Sequence, residues 1–375
     1  MRRIAACILA LMLLMVPVRA ENEQNEDTMQ LASDAALLME QETGAVLYEK
    51  NAHARLSPAS VTKVMTILLI AEQIDSGAMQ LSDPVTASAT AAAMGGSQVY
   101  LEAGESMTVQ EMLKCIVIAS ANDCAVAMAE HISGTENAFV ERMNQRAQEL
   151  GLQDTHFVNC TGLTDSDDHY TSAYDIAVMS REVLRHEWLT EYTTIWTDTI
   201  RGGEFGLTNT NKLVRTYTGT IGLKTGFTNK AMYCLSAAAE RDGNRFIAVI
   251  LHGPSSAERF DDAQALLNYA FANYTVYDPA SETLIPPVRI SLGTVDSIQP
   301  VFPKDAVTIT QKGSTLSADV ELPETLSAPI AAGDKIGTIK ISSGETLVRE
   351  LAILAPEDVP RLSLGALWCS ILGAL

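Results

Sequence analysis

The segment that most constrains the fold is the apolar stretch at residues 55–70, RLSPASVTKVMTILLI. Ser57 is a residue type that caps helix N-termini, and Pro58 suits the first helical position because its missing N–H would have no partner there. Apolar residues then recur at helical spacing, namely Val61, Val64, Met65, Leu68 and Leu69. The pattern predicts a helix whose apolar face is buried, so the rest of the chain must supply a core around it.

Ser60 and Lys63 lie three residues apart near the start of this helix, and therefore on one face. A serine hydroxyl becomes a good nucleophile when a base takes its proton, and a lysine that burial has made neutral can be that base. The helix N-terminus also offers unpaired N–H groups to an oxyanion. A single S-x-x-K motif also occurs in ordinary helices, so the interpretation depends on partners further along the chain.

Composition excludes some classes of function. The chain has 375 residues, of which 47% are hydrophobic and 19% charged, with a net charge of −20. Such a chain can form two or three globular domains with a well-buried core. Its acidity and the lack of a basic patch with interleaved aromatic residues argue against nucleic acid as a partner.

The N-terminus resembles an export signal. Arg2 and Arg3 precede an apolar run at residues 4–16, and residues 18–20, Val-Arg-Ala, are an acceptable cleavage site. We therefore predict a signal peptide at residues 1–20, in preference to a buried N-terminal helix, and a polar linker at residues 21–30. The protein is expected to be exported.

The cysteines do not form a disulfide framework. Cys7 belongs to the predicted signal, which leaves an odd number, Cys115, Cys124, Cys160, Cys234 and Cys369, without a metal-binding spacing. Most are expected to be small buried apolar residues. No metal or other cofactor is predicted.

Residues 31–278 predict an α+β domain. Apolar runs at 37–39 and 45–48 flank a turn and predict a strand pair, whereas 84–107 resembles a loop. Thr108 and Glu111 form a capping box at the start of the first of four further helices, which end near residue 185. Strands are predicted at 222–228, 232–239 and 246–252, followed by a helix at about 261–274.

The composition changes after Asp278. Short alternating runs separated by Gly and Pro predict a small all-β domain at residues 279–357. The remaining residues, 358–375, form an apolar tail around Trp368 that is too short for the roughly 20 residues of a spanning helix. A helix lying on the membrane surface is favoured over a packed terminal helix, with disorder or a spanning segment as further alternatives.

Three motifs follow one another in the chain: Ser60-Val-Thr-Lys63, Ser120-Ala-Asn122 and Lys224-Thr-Gly226. Each is weak alone, but together they are the motif set of the serine penicillin-recognising enzymes. Further stretches at 94–98, 111–123 and 156–163 are similar to those of the D-alanyl-D-alanine carboxypeptidases, the low-molecular-mass penicillin-binding proteins. The resemblance is strong over residues 30–275. It implies a penicillin-binding-protein/β-lactamase-like transpeptidase fold, an antiparallel sheet with a helical region, followed by the small all-β domain.

The resemblance implies peptidoglycan pentapeptide stems as substrates and β-lactams as covalent inhibitors. In this interpretation Ser60 attacks the acyl carbon, Lys63 is the base, and Ser120 relays a proton to the leaving amine. Asn122 would hold a substrate amide and the lysine. The alternative is that Ser120 and Asn122 only cap helices.

The third motif would recognise the substrate carboxylate. Lys224, projecting from an edge strand, would attract the carboxylate and help to keep Lys63 neutral, and Thr225 would donate a hydrogen bond to it. An ordinary exposed strand is the alternative. The resemblance places the second oxyanion donor directly after Gly226, so the oxyanion hole would be the backbone N–H groups of Ser60 and Phe227.

Arg259 matches a family position near the substrate carboxylate, and the sequence does not separate this role from a surface ion pair. The chain also departs from the family pattern. Ala121 replaces the usual glycine, a change that should be tolerated. Phe227 replaces a histidine found in some members, which keeps the backbone donor but removes any side-chain help in deacylation.

Two other functions remain possible. A class A-like β-lactamase shares the three motifs but also needs a glutamate that activates the deacylating water, and Glu141, the nearest candidate, has the wrong spacing. A non-catalytic peptidoglycan-binding or antibiotic-sensing module could keep the same fold. The predicted location is the extracytoplasmic face of the cell membrane, with the tail as a peripheral anchor.

Overall fold

The computed structural model describes residues 29–363 and residue 365. Its helices are α1 (Lys63–Asp75), α2 (Ala89–Ala92), α3 (Val109–Ile118), α4 (Asn122–Ser133), α5 (Glu136–Glu149), α6 (Ala173–Val183), α7 (Thr190–Thr193), α8 (Leu213–Thr216) and α9 (Ser256–Asn273). The strands up to the end of the central sheet are β1 (Ala35–Glu40), β2 (Val46–Lys50), β3 (Pro84–Thr86), β4 (Ser106–Thr108), β5 (Thr197–Ile200), β6 (Phe205–Thr208), β7 (Thr220–Thr228), β8 (Met232–Arg241) and β9 (Asn244–Gly253). The later strands are β10 (Tyr274–Tyr277), β11 (Val288–Ser291), β12 (Ser297–Ile298), β13 (Thr308–Gln311), β14 (Leu316–Glu321), β15 (Thr325–Ser327), β16 (Lys335–Ser343) and β17 (Thr346–Leu354).

An antiparallel sheet with strand order β2-β1-β9-β8-β7 forms the centre of the α+β region, so β7 is an edge strand. Side chains of β9 alternate between its two faces. Ile247 and Val249 belong to the core formed with the helices, whereas the ring of Phe246 lies 5.0 Å from that of Phe271 on α9. The sheet is therefore covered on both faces, as the predicted α+β class requires.

The predicted helix after residue 57 is the centre of the helical core. Its residues from Lys63 to Ala71 are all buried. The next predicted helix, α3, begins with the capping box that the sequence indicated: the Thr108 hydroxyl accepts from the N–H of Glu111, and the Glu111 carboxylate accepts from the N–H of Thr108. A local sequence signal thus fixes the start of α3, the helix that leads to Ser120.

Three local predictions were wrong. Ser57 does not cap the first helix; a 3-10 turn at Ala59–Thr62 precedes α1, and no side chain caps it. The segment predicted as a loop at 84–107 contains β3, α2 and part of β4. The last helix of the α+β region begins at Ser256, well before the predicted residue 261, because the Ser255 hydroxyl accepts from the N–H of Glu258.

Residues beyond 278 form only strands, 3-10 turns and loops up to residue 363. The largest sheet there has the order β14-β16-β17, and its core contains Ile339, Ile341 and Ile353. Val359, at the start of the predicted tail, is buried against this core, and the Leu362 N–H donates to the Leu292 carbonyl at 2.8 Å. The domain boundaries at 278 and 357 stay predictions.

The predicted signal peptide, residues 21–28 of the linker, and residues 364 and 366–375 of the tail lie outside the described residues. Among the helices that the structure describes, none has the length and apolar character needed to cross a bilayer. Cys115, Cys124, Cys160 and Cys234 are buried free thiols, as expected for small apolar residues; Cys7 and Cys369 lie outside the described ranges. Within residues 29–363 and 365, no three His, Cys, Asp or Glu side chains are arranged to hold a metal ion.

Candidate active site

Ser60 lies in the 3-10 turn that precedes α1, and Lys63 is the first residue of α1. The turn begins at Ala59, whose φ of 48° is unusual for a residue other than glycine. The Lys63 amine donates to the Ser60 hydroxyl oxygen at 3.0 Å. The turn therefore brings the predicted nucleophile and base into direct contact.

The Lys63 amine has two further acceptors, the Asn122 side-chain oxygen at 2.6 Å and the Thr161 carbonyl at 2.9 Å. Three acceptors use all the hydrogens that a charged lysine amine can donate. Lys63 is completely buried. The amine is thus held by three separate parts of the chain: the 3-10 turn, the start of α4 and the loop around Thr161.

Burial lowers the pKa of Lys63 to about 7, while Cys160 and Asp123 act weakly in the opposite direction. Lys224 is also buried, and its pKa is well below the ordinary value because of burial first, and then because of the positive charges of Lys63 and Arg259. The positive charge of Lys63 thus makes Lys224 easier to deprotonate, whereas the pKa of Lys63 itself is lowered by burial. Near neutral pH a useful fraction of Lys63 is therefore neutral and able to accept a proton.

The second motif lies between α3 and α4. Ser120 is buried and has a φ of 63°, and Asn122 begins α4. The side-chain amide of Asn122 donates to the Gly95 carbonyl at 2.8 Å, and its oxygen accepts from Lys63. The predicted contact between Asn122 and the lysine is therefore present. The two polar atoms that Asn122 would offer to a substrate amide both have partners within the protein.

The segment at residues 95–101 is held in place by hydrogen bonds to the first residues of α4. The Asp123 carboxylate accepts from the N–H groups of Val99 at 3.0 Å and Leu101 at 3.1 Å. The N–H of Asn122 donates to the Ser97 carbonyl at 2.7 Å. This segment contains the Gly95-Gly96-Ser97 stretch, which therefore forms one side of the site.

The third motif lies on the edge strand β7, which runs beside the 3-10 turn. A Cβ added at Gly226 would be 2.6 Å from the Pro58 carbonyl and 3.0 Å from the Ser60 nitrogen, so only glycine permits this approach. Phe227 follows with its side chain half-exposed and its ring 4.4 Å from that of Tyr233. The strand thus reaches the nucleophile through its backbone.

Lys224 and Thr225 are both buried, so an ordinary exposed strand is excluded. The Lys224 amine donates to the Thr225 carbonyl at 2.9 Å. The Thr225 hydroxyl donates to that of Thr210 at 2.7 Å, and the Thr210 N–H donates to the Ile118 carbonyl near the end of α3. Thr210 therefore links the second and third motifs.

Arg259 does not make the surface ion pair that was one of its two predicted roles. It is 7% exposed, and its guanidinium donates to the carbonyls of Gly226 at 3.0 Å and Cys234 at 3.2 Å. The rings of Tyr233 and Phe260 lie beside it, and its buried Nε has no hydrogen-bond partner among the described residues. Arg259 thus contacts the backbone of the third motif directly.

Sequence reasoning missed several members of the site. The Thr161 carbonyl is a backbone acceptor, which side-chain patterns do not reveal. Thr210 lies between two asparagines and belongs to none of the three motifs. His169, hydrogen-bonded to Thr62, belongs to none of the three motifs.

Comparison with known proteins gives the same assignment along most of the chain. Residues 20–255 match the profile of a family described as D-alanyl-D-alanine carboxypeptidase, and residues 280–361 match that of the penicillin-binding protein 5 C-terminal domain. D-alanyl-D-alanine carboxypeptidase DacF of Bacillus subtilis is 40% identical over 370 residues, covering 96% of this chain and 95% of that protein.

Solved structures agree with this. Penicillin-binding protein 5 from Haemophilus influenzae is 28% identical with a TM-score of 0.76, over 89% of this chain and 99% of that one. Penicillin-binding protein D2 from Listeria monocytogenes, in its ampicillin-bound form, is 29% identical with a TM-score of 0.60, over 65% and 99%. The chain therefore belongs to the D-alanyl-D-alanine carboxypeptidase family.

Proposed function

We propose that this chain is a serine-type carboxypeptidase that removes the terminal D-alanine from peptidoglycan stem peptides through an acyl-enzyme. The observation that carries the proposal is the buried Lys63 amine 3.0 Å from the Ser60 hydroxyl, with a pKa of about 7. A base with a pKa near the working pH combines a useful neutral fraction with a sufficient tendency to take a proton.

Acylation joins the Ser60 oxygen to the carbonyl carbon of the penultimate D-alanine, and Lys63 takes the hydroxyl proton. The oxyanion would accept hydrogen bonds from the backbone N–H groups of Ser60 and Phe227. The C–N bond then breaks, and the leaving amine of D-alanine receives its proton by way of Ser120. Support for this route comes from the burial of Ser120 in the loop next to Asn122, which holds the lysine.

The terminal carboxylate of the substrate would lie against the third motif. The positive charge of Arg259 attracts it, Lys224 adds to this attraction when it is protonated, and Thr225 can turn its hydroxyl from Thr210 to donate to it. Gly226 lets this strand approach the nucleophile closely enough for one substrate to contact both. Asn122 would contact the substrate amide by exchanging its bond to the Gly95 carbonyl for one to the substrate.

In deacylation Lys63 is again the base. Having passed its proton to the leaving amine, Lys63 takes one from a water molecule whose oxygen attacks the ester carbon; the ester C–O bond breaks, and Lys63 returns that proton to the Ser60 oxygen. Phe227 supplies no side-chain base for this step. We therefore expect deacylation to be slow for β-lactams, whose leaving group stays tethered, and propose that they act as covalent inhibitors.

The proposed place of action rests on two sequence patterns, the predicted signal peptide and the apolar tail. The predicted signal peptide would export the protein, and the apolar tail would hold it at the extracytoplasmic face of the membrane, where peptidoglycan stems are found. The support is the sequence pattern alone, since both segments lie almost wholly outside the described residues.

The two alternatives have little support. A β-lactamase would need a glutamate beside the ester, but Glu141 is exposed on α5. A non-catalytic module would have no reason to keep Ser60 and Lys63 in hydrogen-bond contact with the pKa of the lysine lowered to about 7. The family comparisons favour neither.

The test is incubation of residues 21–363 with diacetyl-Lys-D-Ala-D-Ala and measurement of free D-alanine. We expect release by the wild type and none by Ser60→Ala, and labelled penicillin should modify the wild type alone. Rapid turnover of penicillin without peptide cleavage would support the β-lactamase. Binding of peptide without D-alanine release would support the module.

A further inference from the structure

His169 is a buried histidine that the reaction described above does not use. It is 1% exposed, and its Nε2 lies 2.7 Å from the hydroxyl of Thr62. Thr62 lies between the nucleophile Ser60 and Lys63 in the chain. The N–H of Val158 donates to the Nδ1 of His169 at 3.1 Å. Since Nδ1 accepts that bond, the hydrogen of the neutral ring is on Nε2, and His169 donates to Thr62.

The ring therefore joins two segments of the site. Val158 begins the loop that ends at Gly162, and Thr62 belongs to the 3-10 turn. The same loop contacts α1 twice more: the Thr161 carbonyl accepts from the Lys63 amine at 2.9 Å, and the Cys160 carbonyl accepts from the Thr66 hydroxyl at 2.7 Å. The loop thus follows one face of α1 and covers the lysine.

The loop also fits closely against the turn. A Cβ at Gly162 would lie 1.8 Å from the Ala59 carbonyl and 2.6 Å from the Thr62 hydroxyl oxygen. The Asn159 side-chain oxygen accepts from the N–H groups of Thr161 and Gly162, which shapes the loop internally. Water is excluded from the Lys63 amine on this side only while the loop stays in place.

We propose that neutral His169 is a positioning residue for the base: by linking Thr62 to the loop at residues 158–162, it keeps the Lys63 amine dry and its acceptor Thr161 in place. The inference rests on the proposed function, in which Lys63 is the base. It adds a residue outside the three motifs that controls how readily the base loses its proton.

The direction of the effect follows from what acts on Lys63. Burial is the largest influence on its pKa and lowers it, while the charged or titratable groups facing it are Asp123 on α4, Cys160 on the loop and Lys224 on β7. A loosened loop admits water and raises the pKa of Lys63. Losing the Thr161 acceptor works the other way, but burial is the larger influence, so the net shift is upward.

His169 itself should stay neutral at all pH values where the enzyme works. Its pKa is lowered to about 4, by burial first and then by His156 and Lys230. A change of the acylation rate with pH near neutrality therefore reports the ionisation of Lys63 and not that of His169.

The experiment compares Thr62→Val, which removes the hydroxyl at nearly constant volume, with Thr62→Ser, which keeps it. For Thr62→Val the ascending limb of penicillin acylation should shift upward by about one pH unit, which lowers the rate at pH 7 about fivefold and leaves the high-pH rate within about twofold. Thr62→Ser should keep the wild-type limb, and His169→Phe should behave as Thr62→Val.

Carbon NMR of the labelled Lys63 side chain gives a second readout that needs no catalysis, with Lys63→Arg to assign the signal. An upward shift of its titration in Thr62→Val supports the inference even if the wild type were not acylated, which would refute the proposed function alone. If wild type and Thr62→Val titrate alike, or the variant loses rate equally at every pH, His169 only supports the fold and the inference is wrong.

Discussion

The guanidinium of Arg259 donates to the carbonyl oxygen of Gly226 at 3.0 Å and so connects α9 to the strand that borders the nucleophile. The same Nη1 reaches the Cys234 carbonyl at 3.2 Å on the neighbouring strand β8. A residue predicted as a contact for the substrate carboxylate therefore also fixes the backbone on which that carboxylate would rest.

Arg259→Lys tests whether this fixing matters. A lysine keeps the charge, but its compact ammonium cannot reproduce the guanidinium's contacts with two carbonyls and two rings. We expect kcat/KM for the D-Ala-D-Ala peptide to fall about tenfold or more, which corresponds to about 1.4 kcal/mol. Arg245→Lys, in the half-buried ion pair with Glu240, is the control and should stay near wild type. Full activity of Arg259→Lys would mean that only the charge is needed.

Gly226→Ala tests the close approach between β7 and the 3-10 turn. The new Cβ would lie 2.6 Å from the Pro58 carbonyl and 3.0 Å from the Ser60 nitrogen, so the strand or the turn must move. A displacement of this kind disturbs the oxyanion donors, and we expect about a hundredfold slower acylation by penicillin.

The control for this glycine is Gly206→Ala. Gly206 has no positive φ and no heavy atom within 4 Å of an added Cβ, so the variant should acylate as the wild type does. Acylation of Gly226→Ala within threefold of wild type would show that the turn and strand can separate without cost to the chemistry.

Features that depend on neighbouring residues in the chain could be predicted from the sequence. Ser60 and Lys63 are three residues apart, so their contact needs only a helical turn, and the capping box at Thr108 involves residues three apart. Burial of the first helix followed from its apolar pattern. The three motifs in order were enough to place Lys224 and Asn122 in one site.

The missed features depend on residues far apart in sequence. The Thr161 carbonyl meets Lys63, and Arg259 meets Gly226, only because the loop and α9 pack where they do. Tyr274 ended a predicted helix but begins β10, since it pairs with Gln311 on β13. A helical pattern shows that a segment can be apolar on one face, and it does not show which distant strand will pair with its end.

The burial of His169 predicts a pH dependence of stability. Its pKa is about 4 in the folded protein and 6.5 ordinarily, so the folded state binds fewer protons between these values. The free energy of unfolding should therefore decrease as the pH falls from 6.5 to 4, by on the order of 3 kcal/mol from this group. His169→Gln cannot be protonated and should remove that part of the slope.

Urea unfolding at pH 7 and pH 4.5 measures the difference. Other groups titrate in this range in both proteins, so only the difference between variant and wild type is informative. The exposed His131→Gln is the control and should keep the wild-type slope. If the free energy of unfolding of His169→Gln changes with pH as that of the wild type does, the lowered pKa of His169 does not contribute to the slope, and the prediction is wrong.

The tail prediction can be sharpened by the structure. Val359 is buried and Leu362 is hydrogen-bonded to Leu292, so a truncation should keep both. Deleting residues 364–375 should release the protein from membranes and leave peptidase activity unchanged, because the site lies in the α+β region. Fractionation of the two forms between membrane and supernatant measures this. Equal fractionation would show that these residues are not an anchor.

The last prediction concerns Lys63 as the base. Burial lowers its pKa to about 7, so the neutral fraction, and with it the acylation rate, should rise with pH through a midpoint near 7. Stopped-flow acylation by a chromogenic cephalosporin between pH 5 and 9 measures the midpoint. Lys63→Arg keeps the positive charge but cannot lose a proton at these pH values. It should lose acylation by a factor of about 10³ or more while still binding β-lactams non-covalently, which calorimetry can show. If Lys63→Arg acylates within tenfold of the wild type, or the wild-type rate does not change across this range, proton transfer to Lys63 is not part of the reaction, and the lysine acts only through its charge.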